Sequence, residues 1–237
     1  MNKTKFSTSD PIHILHEYNV DPSNLAVYLV GEEAYIFGTA DEWLSETGVE
    51  YVMANRFIRN MQVLMHNGRD GRKYKPITVH MKTNGGDWSE GMAIYDTIRT
   101  CPNPITILNY THARSMSGII LQAADRRFMM PHSYFMFHEG EQQVQGTEKQ
   151  VRSYMKFSRK DNDVMLSIYA DRMREKGKYN RWSKTKIKDL LQGFMDKKED
   201  VYLTAREAVS WGLADEIFEG NWKKLWTHKT KPKKEEK

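Results

Sequence analysis

Short apolar runs alternate with segments of helical periodicity along the middle of the chain. Residues 77–81 (ITVHM), 105–108 (ITIL) and 134–138 (YFMFH) predict strands, whereas residues 91–98 and 116–124 predict helices. Strands that alternate with helices are typical of a sheet whose parallel neighbours are joined by helical crossovers. The pattern therefore predicts an α/β fold.

The N-terminal part predicts a strand pair and a helix before this alternation begins. Residues 1–24 predict a polar extension that is flexible or contacts a partner, and residues 25–37 (LAVYLVGEEAYIF) predict two strands around a Gly-Glu-Glu turn. The next segment carries apolar residues on one helical face, which predicts packing against the core. These residues are Val52, Met53, Phe57, Met61, Leu64 and Met65.

A long amphipathic helix is predicted in the C-terminal half. Thr147 and Gln150 form a capping-box pattern, and helical periodicity continues to about Lys176. Such a helix would reach about 45 Å, which exceeds one face of a small domain. A second capping box begins at Thr204, and Gly212 suits the end of that helix. The apolar stripe of the long helix comprises Val151, Tyr154, Met155, Met165, Ile168 and Tyr169.

Length and cysteine content point to a cytoplasmic globular protein. The chain has 237 residues, enough for one domain with extensions. No apolar run approaches the roughly 20 residues of a membrane span, and residues 1–10 lack the apolar core of a signal peptide. Cys101 is the single cysteine, which excludes an internal disulfide framework and fits a reducing compartment. We therefore expect no membrane partner.

The net charge of +5 belongs to one end of the chain. Residues 221–237 hold seven lysines and two glutamates, and the rest holds 29 basic and 29 acidic residues. The pattern predicts a solvated basic tail, and we do not expect nucleic acid as a partner. Because disordered tails seldom carry tryptophan, Trp222 and Trp226 are expected to pack on the body or on a neighbouring subunit.

Three short segments could carry chemistry. Ser115 lies between the strand of residues 105–108 and the helix of residues 116–124, where helix N–H groups favour developing negative charge. Gly85 and Gly86 follow a strand and can expose backbone N–H groups. His138 ends a strand, which is where α/β sites assemble. Taken singly, the three are better explained as a helix cap, a turn and a structural histidine.

Their order along the chain, with further motifs, resembles a known family. The motifs are residues 82–87 (KTNGGD), 91–98 (GMAIYDTI), 113–116 (ARSM), 127–131 (RFMMP) and 200–208 (DVYLTAREA). The strand that ends at His138 lies between the fourth and the fifth of these motifs. Together they resemble the proteolytic subunit of the Clp protease (ClpP family), a self-compartmentalising serine peptidase. The resemblance covers about residues 48–218.

The resemblance implies a ClpP/crotonase-like repeated β-β-α superhelical core with a protruding long handle helix. The peptidase domain would span residues 25–220. Its handle region would lie at about 139–195, with an insertion near 177–188, and the tail would occupy 221–237. In the family the handle interdigitates between two stacked rings, which would give the long helix a partner.

The family's site residues carry over onto matching positions. Ser115 resembles the nucleophile, His138 the general base and later acid, and Asp200 the carboxylate that orients the imidazole. The backbone N–H groups of Gly86 and Met116 resemble the oxyanion hole. No metal or organic cofactor is implied.

Other residues of the site either bind the substrate or compete for these roles. The resemblance implies that the segment with Gly85, Asp87 and Trp88 pairs with an extended substrate by β-strand addition. Ser117 is a rival hydroxyl inside the helix. The rivals of Asp200 are Asp196, Glu199 and Asp215.

Departures from the family pattern leave alternatives open. Asn84 replaces a proline, Arg114 an alanine and Ser117 a glycine, and Asp87 and Trp88 stand where small or apolar residues are usual. A catalytically impaired ring or scaffold subunit is therefore one alternative, and an acyl-CoA enzyme of the related crotonase superfamily is another. A viral or prophage peptidase that processes capsid proteins would share the same chemistry.

The implied partners follow from the family's biology. Substrates would be proteins or peptides, and the chain would form stacked homo-oligomeric rings, with seven subunits per ring as one option. The chain has no G-x-x-x-x-G-K-[ST] motif, so a Clp-type ATPase would be a separate polypeptide.

Overall fold

The computed structural model describes residues 20–21, 26–30, 48–66, 74–141 and 143–226. The second strand predicted in residues 25–37, residues 1–19 of the predicted N-terminal extension and residues 227–237 of the predicted tail lie outside this range.

Strands and helices alternate through the described part of the chain, as the sequence pattern predicts. The strands are β1 (Val20–Asp21), β2 (Ala26–Val30), β3 (Ile77–Thr83), β4 (Ile105–Arg114), β5 (Arg126–Met129), β6 (Tyr134–Phe137), β7 (Val201–Thr204) and β8 (Glu216–Ile217). The helices are α1 (Tyr51–His66), α2 (Trp88–Thr100), α3 (Met116–Leu121), α4 (Glu148–Glu175), α5 (Lys184–Lys198), α6 (Ala205–Trp211) and α7 (Trp222–Trp226).

The described strands form one sheet in the order β1-β2-β3-β4-β5-β8, with a branch at β4. The first half of β4 pairs with β5, from Thr106 opposite Arg126, whereas its last three residues pair with β6. Strand β6 then pairs with β7 in the antiparallel direction, and the strands from β2 to β5 are mutually parallel. The predicted α/β fold is therefore confirmed, and the branch brings three strand ends together.

Helices α1, α2 and α3 pack on one face of this sheet through a continuous apolar core. Phe57, Met61, Met81, Ile94 and Ile120 are among its fully covered side chains. This burial supplies most of the folding free energy, at about 25 cal/mol per Å² of apolar surface.

One residue of the predicted α1 stripe is not in the core. Val52 is 43% exposed, whereas Met53, Phe57, Met61 and Leu64 are buried. The buried residues follow one another at intervals of three or four, and Val52 lies one position out of that row. The prediction that Val52 packs against the core is wrong.

Helix α4 has the predicted length, and its two halves differ in burial. Thr147 and Gln150 form the predicted capping box, and 28 residues give about 42 Å. Met165, Tyr169 and other residues of the second half are buried. In the first half, Tyr154 and Met155 are 47% and 41% exposed. Two of the six residues of the predicted stripe, Tyr154 and Met155, are thus exposed in the single chain.

The short helix α7 packs on the opposite face of the sheet. Leu225 is fully buried in a small cluster with Leu108, Phe128 and Phe218, and the ring of Trp222 lies 4.8 Å from that of Phe218. Part of the predicted tail therefore folds against the body. Trp222 packs there as expected, whereas Trp226 is 55% exposed in the single chain.

Candidate active site

The branch of the sheet places Ser115, His138 and Asp200 side by side. Arg114 pairs with Met136 across β4 and β6, so Ser115 begins α3 beside the end of β6. Phe137 pairs with Val201 across β6 and β7. Because β7 is antiparallel to β6, the residue after Phe137 and the residue before Val201 are neighbours. These residues are His138 and Asp200.

The three side chains form a continuous row of polar contacts. His138 Nε2 lies 2.9 Å from Ser115 Oγ, and His138 Nδ1 lies 3.2 Å from Asp200 Oδ1. The imidazole is therefore held by a carboxylate on one nitrogen and contacts a hydroxyl with the other, which is the arrangement that activates a serine for attack.

Ser115 has a backbone conformation that side chains seldom adopt. Its φ is 51° and its ψ is −129°, at the turn from β4 into α3. The side chain makes no capping bond to the helix and contacts His138 instead. An ordinary N-cap serine would bond the backbone of α3, so the cap interpretation does not fit this residue.

The Gly85–Gly86 segment lies directly against this turn. A Cβ on Gly85, whose φ is +93°, would lie 2.8 Å from Met116 N and 2.9 Å from Ser115 Cβ. Only glycine permits so close an approach with that φ. Met116 opens α3, and N–H groups of a first helical turn have no partner within the helix.

Val49 holds the other edge of the glycine segment. Its N–H donates to Gly85 O at 2.7 Å, and its carbonyl accepts from Asp87 N at 2.8 Å. This parallel bridge leaves the N–H of Gly86 unused by Val49. The N–H groups predicted for the oxyanion hole, those of Gly86 and Met116, thus belong to two segments in direct contact.

The structure gives Asp87 and Trp88 packing contacts beside the glycines. Asp87 Oδ1 accepts the N–H of Glu90 at 2.9 Å, so this carboxylate caps α2. Trp88 is partly buried against the main core. Both side chains therefore fix the start of α2, next to the segment predicted to bind substrate.

The rival residues have other partners. Ser117 Oγ donates to Arg114 O at 2.8 Å and accepts the N–H of Arg114 at 2.9 Å. Asp215 forms a buried ion pair with Arg127 at 2.8 Å. Asp196 accepts a hydrogen bond from Gln192, within α5.

The electrostatics of Asp215 match a structural role. Burial alone raises the pKa of its carboxyl, but hydrogen bonds and charge from Arg127 and Lys176 outweigh burial and lower the pKa from 3.8 to about 2. The group therefore stays ionised as the partner of Arg127 and is not placed to orient His138.

An acidic cleft opens beside the imidazole. Its volume is about 520 Å³, and it reaches from His138 and Gly140 to the end of α5. The charged side chains along it are Glu139, Glu141, Asp196, Lys198, Glu199 and Asp200.

Two residues near the site were not predicted from the sequence to act in it. Tyr202 donates its hydroxyl to Asp200 Oδ2 at 3.1 Å, and Val49 bridges to Gly86. Glu199, the remaining rival of Asp200, directly precedes it with a φ of 59° and lines the acidic cleft. Only the role of Tyr202 could have been recognised from the sequence. It lies two residues after Asp200, and residues with that spacing along a strand share a face.

The described residues include no group of three or more histidine, cysteine, aspartate or glutamate side chains arranged to hold a metal ion. None of the helices in the described part of the chain combines the length and the apolar composition needed to cross a bilayer.

Comparison with known proteins assigns the family. A family model described as Clp protease matches residues 40–221. The chain is 26% identical over 175 residues to an ATP-dependent Clp protease proteolytic subunit of Deinococcus radiodurans, covering 73% of this chain and 78% of that protein. It is 26% identical over 201 residues to proteolytic subunit 1 of Streptomyces avermitilis, covering 83% and 80%. It is 28% identical over 172 residues to proteolytic subunit 2 of Thermobifida fusca, covering 72% and 76%. The chain belongs to the Clp protease family of serine endopeptidases.

Proposed function

We propose that this Clp-type endopeptidase cleaves peptide bonds through Ser115, His138 and Asp200. The observation that carries the proposal is the pair of contacts at the imidazole, 2.9 Å to Ser115 Oγ and 3.2 Å to Asp200 Oδ1. These distances suit proton transfer from the hydroxyl to Nε2 while the carboxylate faces Nδ1.

The proposed reaction proceeds through an acyl-enzyme. His138 Nε2 accepts the proton of Ser115 as Oγ attacks the scissile carbonyl, and Asp200 stabilises the imidazolium. The N–H groups of Gly86 and Met116 hold the oxyanion, and each such donor is typically worth about 3 kcal/mol. The amine leaves with the proton from His138, and water then hydrolyses the ester by the same route. No cofactor enters these steps.

We further propose that the chain acts as a ring. Proteins of this family form oligomeric rings with Clp ATPases, and the first half of α4 leaves Tyr154, Met155 and Phe157 exposed in the single chain. Contacts between stacked homo-oligomeric rings would cover these residues. Seven subunits per ring is one option, and a separate Clp-type ATPase would deliver folded substrates.

The proposal keeps the predicted division of the chain. Residues 25–220 form the peptidase domain, with the handle region at about 139–195. The substrate would lie along Gly85, Asp87 and Trp88. Cys101, the single cysteine, is buried, and a chain without an internal disulfide suits the reducing cytoplasm.

Hydrolysis of an unfolded protein and of fluorogenic peptides tests this function. We expect the wild type to cleave both, and Ser115→Ala to lose at least about a thousandfold in kcat. Ser117→Ala is the matched control and should keep most of the activity, because its hydroxyl bonds only Arg114. An assembled wild type that cleaves nothing, with or without a Clp-type ATPase, would support the scaffold alternative.

A further inference from the structure

Asp200 is held on both of its oxygens. Oδ1 faces His138 Nδ1 at 3.2 Å, and Oδ2 accepts a hydrogen bond from the hydroxyl of Tyr202 at 3.1 Å. Asp200 immediately precedes β7 and Tyr202 is its second residue, so both side chains lie on the same face of that strand.

We propose that Tyr202 is a positioning residue for peptide-bond hydrolysis, whose hydroxyl fixes the carboxylate plane of Asp200 against His138. The inference rests on the proposed function, because it assigns Tyr202 a role only through the Ser115–His138–Asp200 row.

The carboxylate needs such a restraint. Its side chain is 41% exposed, and the terminal torsion of an aspartate is broad, so water could turn the group away from the imidazole. The His138–Asp200 distance of 3.2 Å makes this a longer contact than the one of 2.9 Å between His138 and Ser115. The hydrogen bond from Tyr202 on Oδ2 opposes rotation and keeps Oδ1 facing Nδ1 of His138.

The phenol is suited to act as the donor. Its hydrogen bond to Asp200, together with the carboxylate's charge, raises the pKa of Tyr202. The hydroxyl therefore stays protonated at neutral pH, and the ionised carboxylate can only accept.

Neighbouring side chains hold the Tyr202 ring in place. The ring of Tyr134 on β6 lies 5.7 Å from it, and the ring of His112 on β4 lies 5.4 Å from that of Tyr134. Arg114 on β4 pairs with Met136 on β6, which in turn pairs with Tyr202 on β7. The phenol is thus part of a packed surface, although 56% of Tyr202 is exposed in the single chain.

A double-mutant cycle on full-length assembled protein tests the inference. The readout is the second-order rate at which a fluorophosphonate labels Ser115, which requires neither an ATPase nor a chosen peptide. We expect Tyr202→Phe to slow labelling about fivefold, the factor that one hydrogen bond typically carries. In an Asp200→Ala background the same substitution should have no further effect. With a peptide substrate, kcat should fall while KM is unchanged.

Tyr134→Phe is the matched control, since it removes a hydroxyl from the adjacent ring and leaves the bond to Asp200 intact. It should label at the wild-type rate. Equal rates for wild type and Tyr202→Phe would overturn the inference and leave the proposed function standing. An equal loss in both backgrounds would also overturn it, because a structural role does not depend on Asp200. A wild type that is never labelled would overturn the proposed function and this inference together.

Discussion

Two residues with unusual backbones lie at the proposed catalytic row, one in it and one next to it. Ser115 has a φ of 51° and Glu199 a φ of 59°, and they are the only non-glycine residues with positive φ in the described part of the chain. Such conformations cost about 1–3 kcal/mol and persist where the surrounding structure imposes them. Glu199 joins the end of α5 to β7 and thereby sets the direction of Asp200.

Glycine at position 199 should relieve this strain. Glu199 has φ 59° and ψ −72°, a conformation that glycine adopts at lower cost than residues with a Cβ. We expect Glu199→Gly to raise the free energy of unfolding by about 0.5–1 kcal/mol relative to Glu199→Ala, measured by urea denaturation. The alanine variant also removes the carboxylate, so comparing the two isolates the backbone effect. A glycine variant that is less stable than the alanine variant would show that the backbone at position 199 is not strained.

At the scale of elements, strand β4 explains why the site forms where it does. The strand has ten residues and changes partner from β5 to β6 along its length. The sequence pattern predicts only residues 105–108 as strand, because the following NYTHAR segment is polar and lacks alternation. The ends of β4, β6 and β7 could be predicted from the motifs. The branch could not, because it depends on register between strands far apart in sequence.

Assembly of the chain into an oligomer can be tested by substitution in helix α4. Phe157 is 59% exposed near Tyr154 and Met155, and large exposed apolar groups of this kind mark contact surfaces. We expect Phe157→Glu to halve the mass of the assembly in light scattering, because the proposed stacked rings would separate into single rings. Phe157→Leu keeps an apolar side chain and should keep the mass. An undiminished mass for Phe157→Glu would show that this part of α4 lies outside the interface between rings.

At the scale of the whole molecule, two buried groups make stability depend on pH. His80 stacks on Tyr28 at 4.6 Å and contacts the Tyr110 hydroxyl at 2.8 Å, and burial lowers its pKa from 6.5 to about 4. The unfolded chain therefore binds a proton more readily, and this stability is lost as pH falls from 6.5 towards 4. The contribution of Asp215 to stability is lost at lower pH, between about pH 4 and pH 2, because protonation of its carboxylate removes the ion pair with Arg127.

The contribution of His80 can be isolated by substitution. We expect the wild type to lose about 2 kcal/mol from this group between pH 7 and pH 5. His80→Phe cannot be protonated and should lose less over the same interval, measured by urea unfolding at both pH values. The contribution of Asp215 lies below this interval and does not interfere. An equal loss in both proteins would contradict the assignment to His80.

The most direct test of the proposed mechanism is to map the adduct left by a fluorophosphonate on the assembled protein. Intact mass and peptide mapping should show one adduct per chain, on Ser115, because His138 Nε2 lies 2.9 Å from its hydroxyl. The adduct should be absent from Ser115→Ala and present in Ser117→Ala. An adduct on another residue, or none on well-assembled protein, would contradict the assignment of Ser115 as the nucleophile.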